Sequence, residues 1–153
     1  MTEYLETTVD KFTFRVAKDR FYTAQGAWAF WMKPEAPNRI RIGLTDYLQQ
    51  RRGDVAFATV KPVGTKLEEG ESIADIETIK MIVELPSPVS GMVVEVNAAL
   101  EMTPEVINQD PYGDGWLAVV ETMYWETERA KLLDPDAYFA AMQTEAQEEL
   151  KKP

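Results

Sequence analysis

At 153 residues, with 45% hydrophobic and 27% charged side chains, the chain has the composition of one globular domain and hardly the length for two. It contains no cysteine and no histidine, which excludes disulfides, structural zinc, thiol nucleophiles and every histidine-based acid–base scheme. A net charge of −10 repels phosphate backbones and argues against nucleic acid as a partner, and no apolar run approaches the roughly eighteen residues of a membrane span.

In chain order, the acidic start Met1–Glu6 has neither a basic region nor an apolar one behind it, so the expectation is a cytoplasmic protein without a leader. Phe12, Phe14 and Val16 alternate with Thr13 and Arg15 as a strand. Trp28, Phe30 and Met32 alternate with small residues as a second strand, and Pro34–Asn38 carries turn residues. Ile40, Ile42 and Leu44 form a third. Thr45 then caps a short helix over 46–52, with Gly53 just past its end. Val55, Phe57 and Thr59 are expected on one face of a strand, with turns at Pro62–Gly64 and Glu69–Glu71. Ile73–Leu85 is a long apolar-rich run broken by charges and closed by Pro86-Ser87-Pro88 and Ser90-Gly91. Met92, Val94 and Val96 alternate again, and Thr103-Pro104-Glu105 has the form of a helix N-cap. Asp110–Gly115 is a compact loop before a last strand, Trp116–Val120. A C-terminal helix over 134–152 places Phe139, Met142, Ala146 and Leu150 on one stripe. The pattern is that of a mostly β domain with short peripheral helices and a C-terminal helix.

The 26 acidic residues are scattered, with no calcium-loop spacing and no glycine-rich phosphate loop. Redox or group-transfer chemistry in such a chain has to come from a bound cofactor. The negative charge serves solubility, or steers the chain toward basic docking surfaces on larger enzymes.

Five linked segments carry more. They are Gly53-Asp54-Val55-Ala56-Phe57, Ile76-Glu77-Thr78-Ile79-Lys80, Ser87-Pro88-Val89-Ser90-Gly91, Glu95–Leu100 and Asn108–Trp116. In this order and spacing they resemble the glycine cleavage H-protein family, from about Phe21 to the C-terminal helix. The resemblance implies a lipoyl-type barrel-sandwich hybrid over 21–153, with residues 1–20 as an N-terminal extension packed on it. It implies that Lys80, at a hairpin tip, is the covalent attachment point of lipoate. Periodicity does not mark that tip, because Thr78–Val83 contains no Gly, Pro or Asn. Glu77, three residues before the lysine, and Gly91, eleven after, stand at positions that in the family help ligases recognise the hairpin. The implied partners are a lipoate ligase or lipoyl transfer and assembly enzymes, and the multienzyme system that the arm serves.

A biotin carrier has a related hairpin with a lysine between two methionines; here Met81 follows Lys80 but Ile79 precedes it. The Asp110–Trp116 loop and the helical tail favour lipoate.

The sequence departs from the family around the arm: Glu84 stands where the family usually has aspartate, Ile82-Val83 is more apolar, and Met81 replaces a small residue. Where the family has a His-Glu-Trp segment near the loaded arm, this chain reads Gly26-Ala27-Trp28. Loss of a carboxylate and a ring nitrogen there weakens the hold on a cationic amine. That favours the H-like lipoate-binding proteins of bacterial sulfur oxidation, which work with heterodisulfide-reductase-like complexes. The alternative is a glycine cleavage carrier of the aminomethyl group, served by glycine decarboxylase, aminomethyltransferase and dihydrolipoamide dehydrogenase. In either case the protein is a non-catalytic carrier. An unmodified binding or regulatory module is the alternative of another class.

Overall fold

The computed structural model describes residues 2–33 and 38–151. Two sheets close over one apolar core. The larger is built from β3 (Phe21–Tyr22), β4 (Ala27–Lys33), β5 (Asn38–Leu44), β11 (Ala118–Thr122), β10 (Gly91–Val96) and β7 (Lys66–Leu67), in the order β3-β4-β5-β11-β10-β7. The smaller pairs β6 (Val55–Val60), β8 (Ser72–Thr78) and β9 (Ile82–Pro86), with β8 central. Ile40, Ile42, Leu44, Val93, Ala118 and Val120 from the first sheet meet Val55, Ile73, Ile76 and Leu85 from the second. This is the expected barrel-sandwich layout, mostly β with helices at its margins.

The alternation of β4 divides two cores. Ala27 and Ala29 face the main core, while Trp28 and the half-buried Phe30 face a second cluster. The small residues are therefore as buried as the large ones. Trp28 is opposite Gly43, and any Cβ at residue 43 would run into the indole ring. The second cluster joins an N-terminal hairpin, β1 (Tyr4–Val9) with β2 (Phe12–Ala17), to the C-terminal helix α5 (Pro135–Leu150). Phe14, Val16, Tyr22, Tyr138, Met142 and Ala146 fill it, and the rings of Tyr22 and Tyr138 stack at 4.6 Å. Helix α5 starts on Asp134, whose carboxylate accepts from the Ala137 amide, with Pro135 in the first turn. Its buried stripe runs through Tyr138, Met142 and Ala146, and Leu150 is left exposed rather than buried as the periodicity predicts.

The capped helix α1 (Asp46–Arg52) forms as expected. The Thr45 hydroxyl accepts from the Leu48 amide, and Gly53 closes the helix at φ +96. Other expectations change, and one strand goes unforeseen. Strand β1 carries no clear alternation and escapes the periodic reading. In β6, Val55 points into the core while Phe57 and Thr59 point out, because the ladder to β8 shifts between Val55 and Phe57. Thr103 does not cap α3 (Val106–Gln109); its hydroxyl donates to the Ala99 carbonyl at the end of α2 (Ala99–Met102). The last strand begins at Ala118, two residues after the predicted Trp116. A fifth helix, α4 (Trp125–Arg129), buries Trp125 beneath the large sheet. The predicted turn at Pro34–Asn38 lies outside the described residues except for Asn38, where β5 begins. No helix among the described residues is long and apolar enough to cross a membrane.

Candidate functional site

The run Ile73–Leu85 folds as the β8–β9 hairpin, with Glu77 opposite Ile82 and Ile79-Lys80 at the tip. Thr78 makes this turn. Its amide donates to the Met81 carbonyl at 2.8 Å, and its hydroxyl donates to the same carbonyl at 3.0 Å. The hydroxyl oxygen also accepts from the amides of Lys80, at 3.2 Å, and Met81, at 3.1 Å. Among the described non-glycine residues only Asp10 has a positive φ, so the tip turns without the left-handed residues of tight hairpins. A buried threonine side chain does the work that Gly or Asn does elsewhere. This is why no turn residue marks Lys80 in the sequence.

The tip is seated on the end of α1. The Ile79 amide donates to the Asp54 carbonyl at 3.1 Å. The Lys80 methylenes lie over Gly53, with Cε 3.5 Å from where a Cβ at residue 53 would stand. Asn108 fixes this seat. Its Oδ1 accepts from the Val55 amide at 2.9 Å, and its Nδ2 donates to Gln49 Oε1 and to the Gly53 carbonyl, at 3.0 and 3.1 Å. Lys80 itself is exposed, and its Nζ has no hydrogen bond or ion pair among the described residues. An amine so placed, exposed at a two-stranded tip with its stem supported, is chemically open to acylation.

Glu77 shares this hairpin, exposed on the outer face of the small sheet. Gly91 does not. It opens β10 in the large sheet, opposite Leu67, at φ +140, and a Cβ there would strike the Glu121 carbonyl. Its glycine identity thus has a steric cause in the fold. Thr78 and Asn108 hold the site in place, and periodicity and motif reading both pass over their roles.

Beside the tip, a groove of about 290 Å³ runs between α1, β9 and α5. Val83 and Glu84, just past Lys80, stand on one wall, and Arg51, Arg52, Glu145 and Glu149 supply the remaining charges. Arg51 pairs with Glu149 at 2.8 Å. Gly26 lines the groove at φ +98, and a Cβ there would approach Leu48 to 3.0 Å. Ala27 is fully buried in the main core. The backbone and packing at these two positions are thus built for the small residues present. The Asp110–Trp116 loop is architectural: Asp110 accepts from the Asp114 amide, and the Pro111 and Tyr112 carbonyls accept from Trp28 and Arg20.

A cysteine-free and histidine-free two-sheet domain that offers one lysine at a supported hairpin tip belongs to the class of lipoyl-type carrier domains. The sequence model of the family described as glycine cleavage H-protein matches residues 20–145. A glycine cleavage system H protein of Thermus thermophilus is 40% identical over 131 residues, covering 86% of this chain and 98% of the relative. That of Stenotrophomonas maltophilia (strain R551-3) is 44% identical over 115 residues, covering 75% and 87%. The crystal structure of a glycine cleavage system H protein from Mycobacterium marinum superposes with a TM-score of 0.71 at 34% identity, covering 80% of this chain and 95% of that one. This chain belongs to the glycine cleavage H-protein family. Lipoate, which the family carries covalently on a lysine, is its cofactor.

Proposed function

We propose that Lys80 is the lysine that carries lipoate, and that the chain is the aminomethyl carrier of a glycine cleavage system. The observation that carries this reading is the exposed, unpaired Lys80 amine at a tip fixed by Thr78 and seated on Gly53. Family membership and the named relatives support the glycine cleavage setting over sulfur oxidation. The partners are then glycine decarboxylase, aminomethyltransferase and dihydrolipoamide dehydrogenase, with a lipoate ligase or lipoyl transfer and assembly enzymes for attachment. The protein is cytoplasmic and catalyses nothing itself. Residues 1–20 form an extension packed on the carrier domain at 21–153; the family match beginning at residue 20 supports that division.

Bound in amide linkage to Nζ, lipoate supplies a two-electron dithiol/disulfide couple and a sulfur on which cargo rides. The chain supplies a rigid handle. The β8–β9 tip projects the amine, amide formation removes its charge, and tethering raises the local concentration of the arm at each docked enzyme. Glu77, beside the tip, contributes to recognition by the attaching enzyme. Gly91 serves it indirectly, by holding the start of β10.

A second reading has its own observation. Gly26 lines the groove where the family has its histidine, and Ala27, where the family has its carboxylate, is buried beneath, which suits a sulfur-bound, uncharged cargo handled by a heterodisulfide-reductase-like complex. Two measurements decide. Intact mass after incubation with lipoate, ATP and ligase should rise by one lipoyl group in the wild type and not in Lys80→Arg. Wild type that stays unmodified beside a lipoylated control protein would instead indicate a binding module. Loading by glycine decarboxylase should then transfer the aminomethyl group, and failure to load a fully lipoylated protein would favour the sulfur reading.

A further inference from the structure

The outer face of the small sheet is composed in an unusual way. Cross-strand register sets Phe57, Glu77 and Ile82 in one row, next to the tip, and Thr59, Asp75 and Glu84 in the row behind. Phe57 is 65% exposed and Ile82 59%, and at the tip Ile79 is 73% exposed and Met81 44%. The three carboxylates of the face make no ion pair among the described residues, and Asp75 stands directly opposite Glu84. Like charges directly opposed across a ladder destabilise it, and so many large apolar side chains around one turn leave apolar surface in water. The sheet carries both costs at the spot that surrounds Lys80.

We propose that this face is the docking surface for the enzyme that acylates Lys80, an enzyme with an apolar rim and a basic collar around its active-site mouth. The inference rests on Lys80 as the lipoylation site. In the reaction the uncharged Nζ attacks the carbonyl carbon of a lipoyl-adenylate. The C–N bond forms, the bond from acyl carbon to phosphate oxygen breaks, AMP leaves with the electron pair, and the amine gives up one proton. No electron transfer occurs. An enzyme that holds an acyl-adenylate surrounds its phosphate with cations. A lysine stem is short, so the enzyme must close on the turn itself rather than wait at the end of a long arm. A specific interface covers roughly 800 Å² on each partner, far more than one turn offers. The footprint must therefore spread onto a neighbouring face. The small sheet's outer face continues from the tip and presents Phe57 and Ile82 around Glu77 nearest the lysine and Asp75 and Glu84 behind, apolar and acidic surface complementary to such a mouth.

The test is the initial rate of lipoylation of the full chain by its cognate lipoate–protein ligase with lipoate and Mg-ATP, read by intact mass. Phe57→Ser/Ile82→Ser should lose at least tenfold in kcat/KM, mostly through KM. Asp75→Asn/Glu84→Gln should melt at or above the wild-type temperature, since it removes a repulsive pair, and yet be lipoylated at least fivefold more slowly. Met123→Ser/Tyr124→Ser, beyond β11 in the large sheet, should stay within twofold. Face variants modified within twofold of wild type overturn the docking surface while leaving Lys80 as the attachment site. Wild type that is never modified at Lys80 overturns both.

Discussion

Thr78 holds the tip with one side chain. Its hydroxyl donates to the Met81 carbonyl and accepts from two amides, and the residue is buried. Valine has almost the same shape and none of this capacity, so Thr78→Val leaves the Lys80 and Met81 amides to find water or remain unpaired, and takes one of two donors from the Met81 carbonyl. The expected cost is about 1–3 kcal/mol. At this chain length each kcal/mol lowers the melting temperature by about 2–4 °C. Thr78→Ser keeps the oxygen and should recover most of the loss. Lipoylation of the valine variant should slow in parallel, because a tip that samples many turns presents the amine less often. Thermal melts and intact-mass rates of the three proteins check this. A valine variant that melts and reacts like the wild type would mean that the turn is held by its ladder alone.

At the scale of elements, the N-terminal hairpin braces the helix on which the tip is seated. The Arg15 amide donates to Asp46 at 2.9 Å, and Gln50 donates to the Thr13 carbonyl, also at 2.9 Å. Phe14 meets Tyr47 of α1 edge-on at 5.0 Å. Phe14→Ala is expected to cost about 3–5 kcal/mol, the range for a buried phenylalanine. Hydrogen exchange should show the added opening in α1 as well as in β2, and unchanged exchange in α1 would separate the hairpin from the site. These elements were legible to different degrees. Helix α1 was plain, since Thr45 and Gly53 mark both ends by local chemistry. Strand β6 was not: a bulge after Val55 inverts the faces that simple alternation assigns, and nothing in Val55–Thr59 announces an inserted residue. The hairpin tip was hidden because its signal is a side-chain hydroxyl rather than a backbone preference, and only the resemblance placed Lys80 there. The role of Asn108 was hidden for another reason, since its partners, Gln49, Gly53 and Val55, are more than fifty residues away along the chain.

The whole molecule has an unusual pH response because of what it lacks and what it buries. Without histidine, no side chain at its ordinary value changes charge near neutrality, so stability should be flat from about pH 6 to 9. Four buried tyrosines lie in the second cluster between the N-terminal hairpin, β3, α1 and α5. Burial raises all four, Tyr22, Tyr47, Tyr112 and Tyr138, above the ordinary phenol value, and the nearby Arg20 charge only partly offsets this for Tyr22. The sign follows from linkage. A phenol whose folded value lies above its unfolded value of about 10 stabilises the fold fully below pH 10, and that contribution is lost as pH rises beyond it. Each such tyrosine contributes a slope of up to about 1.4 kcal/mol per pH unit, so four together make the fall above pH 10 steep. Denaturant melts between pH 7 and 11.5 should show a plateau and then this decline. Phenolate absorbance from the buried tyrosines should appear with unfolding and not before it. Ionisation of all the tyrosines near pH 10 in a protein that stays folded would show that the cluster opens to water. The packing that joins both chain ends to the carrier domain would then be looser than the stacked Tyr22–Tyr138 pair and the bond between the Thr45 and Tyr138 hydroxyls imply.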